Sequence, residues 1–120
     1  MLNLDTHILV ALFTGDLTPA EHDCALNQSW AISDIVLWEL AKLTQKRRLQ
    51  LNAESPRFLA FLRSITMLPI TFEIAWTSVR LDFSSDPADE IIAATSIVEQ
   101  IPLLTRDRRI RRSRLVPFAL

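Results

Sequence analysis

The feature that most constrains this chain is a repeated alternation: short apolar runs, each followed by a longer stretch with helical spacing. A strand exposed on one face alternates apolar with polar residues, whereas a strand buried on both faces reads as nearly continuous hydrophobic sequence. Residues 2–5, 30–33, 67–71 and 103–105 have the second character, and residues 115–119 offer a further edge strand. Helical patterns fill the intervals. The first covers residues 8–13 and ends at Gly15, the only glycine, and the second runs from Pro19 to about Gln28. A third, capped by Ser33 or Asp34, runs from Ile35 to about Lys46, and a fourth over 57–65 is opened by Ser55 and Pro56. The last two cover 72–83 and the stretch from Asp86-Pro87 to about Gln100. Parallel strands need crossover connections of this length, so the pattern specifies an α/β sandwich with a parallel sheet covered on both faces.

A length of 120 residues suits one domain spanning 1–120, and an apolar fraction of 49% is enough to build its core. The apolar runs fall far short of the roughly 20 residues that cross a bilayer, and none has the flanks of an export signal. The expected setting is therefore cytoplasmic, with no membrane contact. Cys24 is the only cysteine, and His7 and His22 are the only histidines. Internal disulfides and Cys-based zinc sites are excluded, and any bound metal would need mainly oxygen ligands. The formal net charge of −1 hides a segregated distribution. Cations cluster at Lys42, Lys46, Arg47 and Arg48, and again at Arg106, Arg108, Arg109, Arg111, Arg112 and Arg114. Segregated signs suit a protein that attracts a polyanion at one place.

In open parallel sheets the functional crevice lies beyond the carboxyl ends of the strands. Four acids fall at strand ends or in apolar surroundings: Asp5, Glu39, Asp89 and Asp107. Each has an ordinary structural explanation. Asp5 could cap a helix, Glu39 could pair with Lys42 three residues on, Asp86 and Asp89 could cap the helix opened by Pro87, and Asp107 could make a turn. Together these explanations are weaker, because acids delivered to one edge repel one another unless a divalent cation neutralises them. Oxygen donors without His or Cys favour Mg²⁺, with Mn²⁺ able to substitute. A cation so held binds a phosphodiester and lowers the pKa of coordinated water, which is nuclease chemistry.

The same residues form an ordered pattern: Leu4-Asp5-Thr6-His7, Ser33 with Glu39-Leu40-Ala41, Asp86-Pro87-Ala88-Asp89 with Ile92-Ala93-Ala94, and Leu104-Thr105-Arg106-Asp107. This pattern resembles the PIN domain and, more narrowly, the VapC ribonuclease toxins of type II toxin–antitoxin systems. The resemblance implies a three-layer α/β/α sandwich with a mainly parallel sheet of about five strands. It also implies Mg²⁺-dependent endoribonuclease activity, a homodimer and an antitoxin partner. By position, Asp5 and Asp89 become the principal metal ligands, Glu39 completes the cluster, and Asp107 acts through water or as a more distant ligand. Thr6, Ser33 and Thr105 match small hydroxyl positions that support the acids, while Asp86 is assigned to capping first and catalysis second. Glu90, Ser96 and Gln100-Ile101 depart from the family pattern, where Arg, Ala and Gly are usual.

Arg106, Arg108 and Arg109 are the candidate RNA contacts, being nearest in sequence to the proposed site. Trp30, Trp38 and Trp76 could stack on bases, but their helical or strand positions favour packing in the core. The helices around residues 35–43 and 57–65 carry apolar surplus that a dimer or antitoxin interface could cover. The alternative function is a non-catalytic PIN-like module that binds RNA or protein. A response-regulator receiver is disfavoured because no lysine follows Lys46.

Overall fold

The computed structural model describes all 120 residues. Strand β1 (Leu2–Leu4) leads into helix α1 (Thr6–Thr14), followed by α2 (Pro19–Ala25), β2 (Trp30–Ser33) and α3 (Ile35–Gln45). Helix α4 (Pro56–Arg63), β3 (Thr66–Leu68), α5 (Phe72–Ser78), α6 (Pro87–Glu99), β4 (Leu103–Leu104) and a 3₁₀ turn at Ile110–Arg112 complete the chain. The strands lie in the order β3-β2-β1-β4 and pair in parallel throughout. The chain thus winds outward from β1 through β2 to β3, then returns to the other side of β1. That reversal places a crevice between the carboxyl ends of β1 and β4.

Both faces of the sheet are covered. Leu2, Asn3 and Leu4 point alternately to opposite faces, yet none is more than 1% exposed. Leu2 and Leu4 join a core with Leu9, Ile32, Phe58 and Ile92. Asn3 fixes α6 across the other face, its Nδ2 donating to the Ile92 carbonyl at 3.2 Å and to Ser96 Oγ at 2.9 Å. Ser96, one of the departures from the family pattern, therefore has a structural use that alanine could not supply.

The sheet has four strands rather than about five. Residues 115–119 contribute only a single parallel bridge between Phe118 and Leu103, with hydrogen bonds from Leu103 N to Pro117 O at 2.8 Å and from Ala119 N to Leu103 O at 3.0 Å. Pro117 has no N–H to extend that ladder. Pro69 likewise stops β3 at Leu68, short of the expected Thr71. Helix α5 ends at Ser78 instead of Phe83, because Leu81 and Phe83 turn onto the core and Asp82 binds the tail. The Asp82 carboxylate accepts from Ser113 Oγ at 2.6 Å and from Arg114 N at 2.7 Å.

Gly15 ends α1 with φ at 80°, the left-handed conformation that glycine adopts without strain. Gln100 closes α6 in the same conformation, at φ 56°, so the side chain found where related sequences have glycine sits in a backbone that disfavours it. The tryptophans correct a sequence expectation. Only Trp30 packs inward, its indole N–H donating to Ala25 O at 3.1 Å, whereas Trp38 and Trp76 are about half exposed. Exposed apolar side chains occur on α3 at Leu37 and Trp38 and on α4 at Leu59, and a further exposed apolar face is formed by Phe72 and Trp76 of α5 with Val79 just past its end. No helix is long and apolar enough to cross a membrane.

Candidate active site

Asp5 follows β1 directly and serves as the N-cap of α1, with Oδ1 accepting from Thr6 N at 2.8 Å. Its second oxygen accepts from Thr105 Oγ1 at 2.6 Å, and Thr105 follows β4. The crevice at the strand reversal is therefore closed by a hydroxyl-to-carboxylate bond between neighbouring strand ends. Thr6 reaches the other way: its hydroxyl donates to Glu39 Oε1, tying α1 to α3. Asp89, in the first turn of α6, accepts from Ser85 Oγ at 2.8 Å.

Three elements thus bring Asp5, Glu39 and Asp89 together, with one oxygen from each lying within 4.8 Å of the others. Asp5 is buried, and Glu39 and Asp89 are half-buried. No salt bridge neutralises any of the three. The ion pair that the spacing of Glu39 and Lys42 would allow is absent, because the Thr6 hydroxyl takes the carboxylate and Lys42 leans over the Trp38 ring at 5.5 Å from its centroid. Burial pushes the carboxyl pKa values of Asp5 and Glu39 up, against the lowering effect of their hydrogen bonds. Asp89 rises to about 6, first through burial and then through the charges of Asp5, Glu39 and Asp107, despite its bond from Ser85.

Asp107 stands just outside this cluster. Its Oδ1 accepts from Arg109 N at 2.9 Å and Ile110 N at 3.0 Å, so it opens the 3₁₀ turn while its charge acts on Asp5 and Asp89. Ser33 is buried and supports the site indirectly, its Oγ accepting from Ile35 N at 3.3 Å at the start of the helix that carries Glu39. Asp86 occupies the N-cap position of α6 without making a side-chain cap, and lines a cleft beside Glu39. The capping role expected for it is not realised.

Arg106 also departs from expectation. Its Nε and Nη2 donate to the two oxygens of Glu21 at 2.8 and 2.7 Å, so this guanidinium staples α2 to the end of β4 instead of standing free for phosphate. The Glu21 carboxyl is held down to about 2, first by those bonds. Arg108 and Arg109 are exposed and form no salt bridge. Ser85 and Glu21 are the supporting residues that the sequence reading missed. Glu21 had a local signal, since Thr18 and Glu21 form a reciprocal capping box, but Ser85 lies four residues before its acid in no recognisable motif.

The donor set fits a hard divalent cation. All three groups offer oxygen, Glu39 Oε2 and Asp89 Oδ1 accept no hydrogen bond from the protein, and the mutual repulsion needs a positive charge to relieve it.

The PIN domain family model matches residues 3–114, which include all four sequence-predicted acids. The chain belongs to the PIN domain family. As a PIN domain it is 38% identical over 87 residues to ribonuclease VapC22 of Mycobacterium tuberculosis, an alignment covering 70% of this chain and 67% of that protein. Two solved structures share the PIN fold at a TM-score of 0.72. One is a toxin–antitoxin complex from Klebsiella pneumoniae, 23% identical, covering 100% of this chain and 98% of the other. The second is VapBC2 from Rickettsia felis bound to a promoter DNA fragment, 20% identical, with coverage of 98% and 97%.

Proposed function

We propose that the protein is a metal-dependent endoribonuclease and the toxin of a type II toxin–antitoxin pair, with residues 1–120 acting as one domain. The observation that carries this reading is the approach of three unpaired carboxylates to within 4.8 Å at the sheet's switch point. Asp5 and Asp89, with Glu39 beside them, would hold Mg²⁺ or Mn²⁺, which supplies Lewis-acid stabilisation of phosphate charge and acidifies water.

The chain's own residues do the positioning. Thr6 N–H and Thr105 Oγ1 each hold one oxygen of Asp5, so that carboxylate cannot rotate, and Ser85 restrains Asp89. The free Oε2 of Glu39 orients the attacking water and accepts its proton, a task helped by burial, which raises the pKa of this carboxyl. Asp107 contributes charge, since its Oδ1 already receives two backbone N–H groups. The water oxygen bonds to phosphorus while the bond from phosphorus to a ribose oxygen breaks, and the leaving oxygen takes up a proton from solvent. The products then end in a phosphate monoester and a hydroxyl, with no cyclic phosphate.

RNA as substrate is supported by the ribonuclease relative, and an antitoxin partner by the toxin–antitoxin complexes of the same fold. We place the active species as a cytoplasmic homodimer, and the exposed apolar face of α5 is consistent with a protein contact. The test is incubation of total RNA and purified tRNA with Mg²⁺, comparing wild type with Asp5→Asn. Cleavage by wild type alone is expected. Equal cleavage by both proteins, or RNA binding without products from wild type, would overturn the reading.

A further inference from the structure

A cleft of about 500 Å³ beside the acidic cluster is lined by both acids and cations. Glu39 and Asp86 line it together with Lys42, Lys46, Arg48 and Trp38. Glu39, Lys42 and Lys46 recur at helical spacing on one face of α3 and span roughly 10 Å of its axis. Past Lys46 the chain reverses through Arg47, at φ 54°, with Arg47 N bonded to Thr44 O at 3.0 Å and Arg48 N to Leu43 O at 2.9 Å. This is a Schellman turn with arginine where glycine is usual, and it turns Arg48 back into the cleft. All three cations are exposed, and none has a carboxylate within salt-bridge distance. The C-terminal cluster is only partly engaged, with Arg108 and Arg109 exposed and free of salt bridges. Arg106 is committed to Glu21, and Arg111 donates to Leu120 O at 2.7 Å while covering the Phe118 ring.

We propose that Lys42, Lys46, Arg48 and Trp38 form the binding track for single-stranded RNA entering the acidic centre. The three cations take successive phosphates and the exposed indole stacks on a base. The choice of RNA as ligand rests on the nuclease reading above. The physical case is the combination of cations free of salt bridges, a half-exposed ring that Lys42 approaches to 5.5 Å and a cleft shared with Glu39, which is the recurring design of single-strand binding surfaces.

The experiment measures fluorescence anisotropy of a labelled short single-stranded RNA of mixed sequence, in EDTA to prevent cleavage, across a salt series. Replacing Lys42, Lys46 and Arg48 together by Gln should weaken binding at least tenfold and reduce the slope of log affinity against log salt by roughly 2. Trp38→Ala should cost roughly fivefold or more, with Trp38→Phe restoring most of it. Lys42→Arg with Lys46→Arg should bind as wild type, and circular dichroism checks folding of each variant. Unchanged affinity and slope in the triple Gln variant would overturn the proposal, as would loss of a dimer or antitoxin contact without loss of RNA binding. If wild type binds through these residues yet releases no products with Mg²⁺, the nuclease reading fails and the track stands. If wild type cleaves while the triple variant keeps its affinity, the track fails and the nuclease reading stands.

Discussion

Asp5 caps α1 and also contributes to the acidic cluster, and the two roles separate under substitution. Asn keeps an oxygen for the Thr6 N–H but removes a buried charge beside Glu39 and Asp89. Asp5→Asn should therefore lose cleavage by more than the roughly 10- to 100-fold typical of an outer partner, while unfolding without metal at or above the wild-type temperature. Asp5→Ala should lose cleavage and also about 1 kcal/mol of stability through the missing cap. Gln100 offers a test free of the chemistry. Gln100→Gly should raise stability by about 1 kcal/mol in urea unfolding, because the left-handed turn closing α6 no longer carries a Cβ. Much of the site was legible at this scale because buried acids stand out from apolar neighbours. Asp5 could be read both as a cap and as a site acid, and it is both. What escaped were partners set by tertiary contact. Ser85 has no local signature, and Lys42 at the right spacing for an ion pair turns instead to an aromatic ring.

Helices and strands place these residues through a few specific ties between elements. Asn3 joins β1 to α6, Thr6 joins α1 to α3, Thr105 joins β4 to β1, and Arg106 joins the end of β4 to α2. Arg106→Ala leaves the nearly buried Glu21 without its main partner and should cost about 1–3 kcal/mol near neutral pH. Glu21 is depressed from 4.5 to about 2, so its contribution is fully present above the unfolded value and is lost as pH falls through that interval. The gap between wild type and Arg106→Ala in urea unfolding should accordingly close between about pH 4.5 and about pH 2. A constant gap would show that lost packing of the arginine stem, rather than charge, is responsible. Element types and order followed from apolar runs and helix starts, but several ends did not. Pro69 and Pro117 cut strands short by removing donors, a signal present in the sequence, whereas the early end of α5 depends on Asp82 finding Ser113 and Arg114 in the tail.

Across the whole molecule, a net charge of −1 conceals an acidic centre beside a basic cluster that lines the same cleft. The carboxyls of Asp5 and Glu39 are raised, and that of Asp89 lies near about 6. Between the unfolded and folded pKa values of these acids, the folded chain binds more protons than the unfolded one. Their contribution to stability without metal therefore falls as pH rises through that window, the reverse of the Glu21 case. A divalent cation binds the ionised forms, so the rise in melting temperature produced by Mg²⁺ should be larger at about pH 7.5 than at about pH 5. A shift independent of pH would separate the cation from these carboxyls. The most direct measurement is a calorimetric Mn²⁺ titration at neutral pH of wild type beside Asp5→Asn and Asp89→Asn. Saturable binding by wild type with proton release, weakened at least tenfold in both variants, is the expected result. Equal Mn²⁺ affinity in all three proteins would contradict a cation held by this cluster, and with it the proposed chemistry.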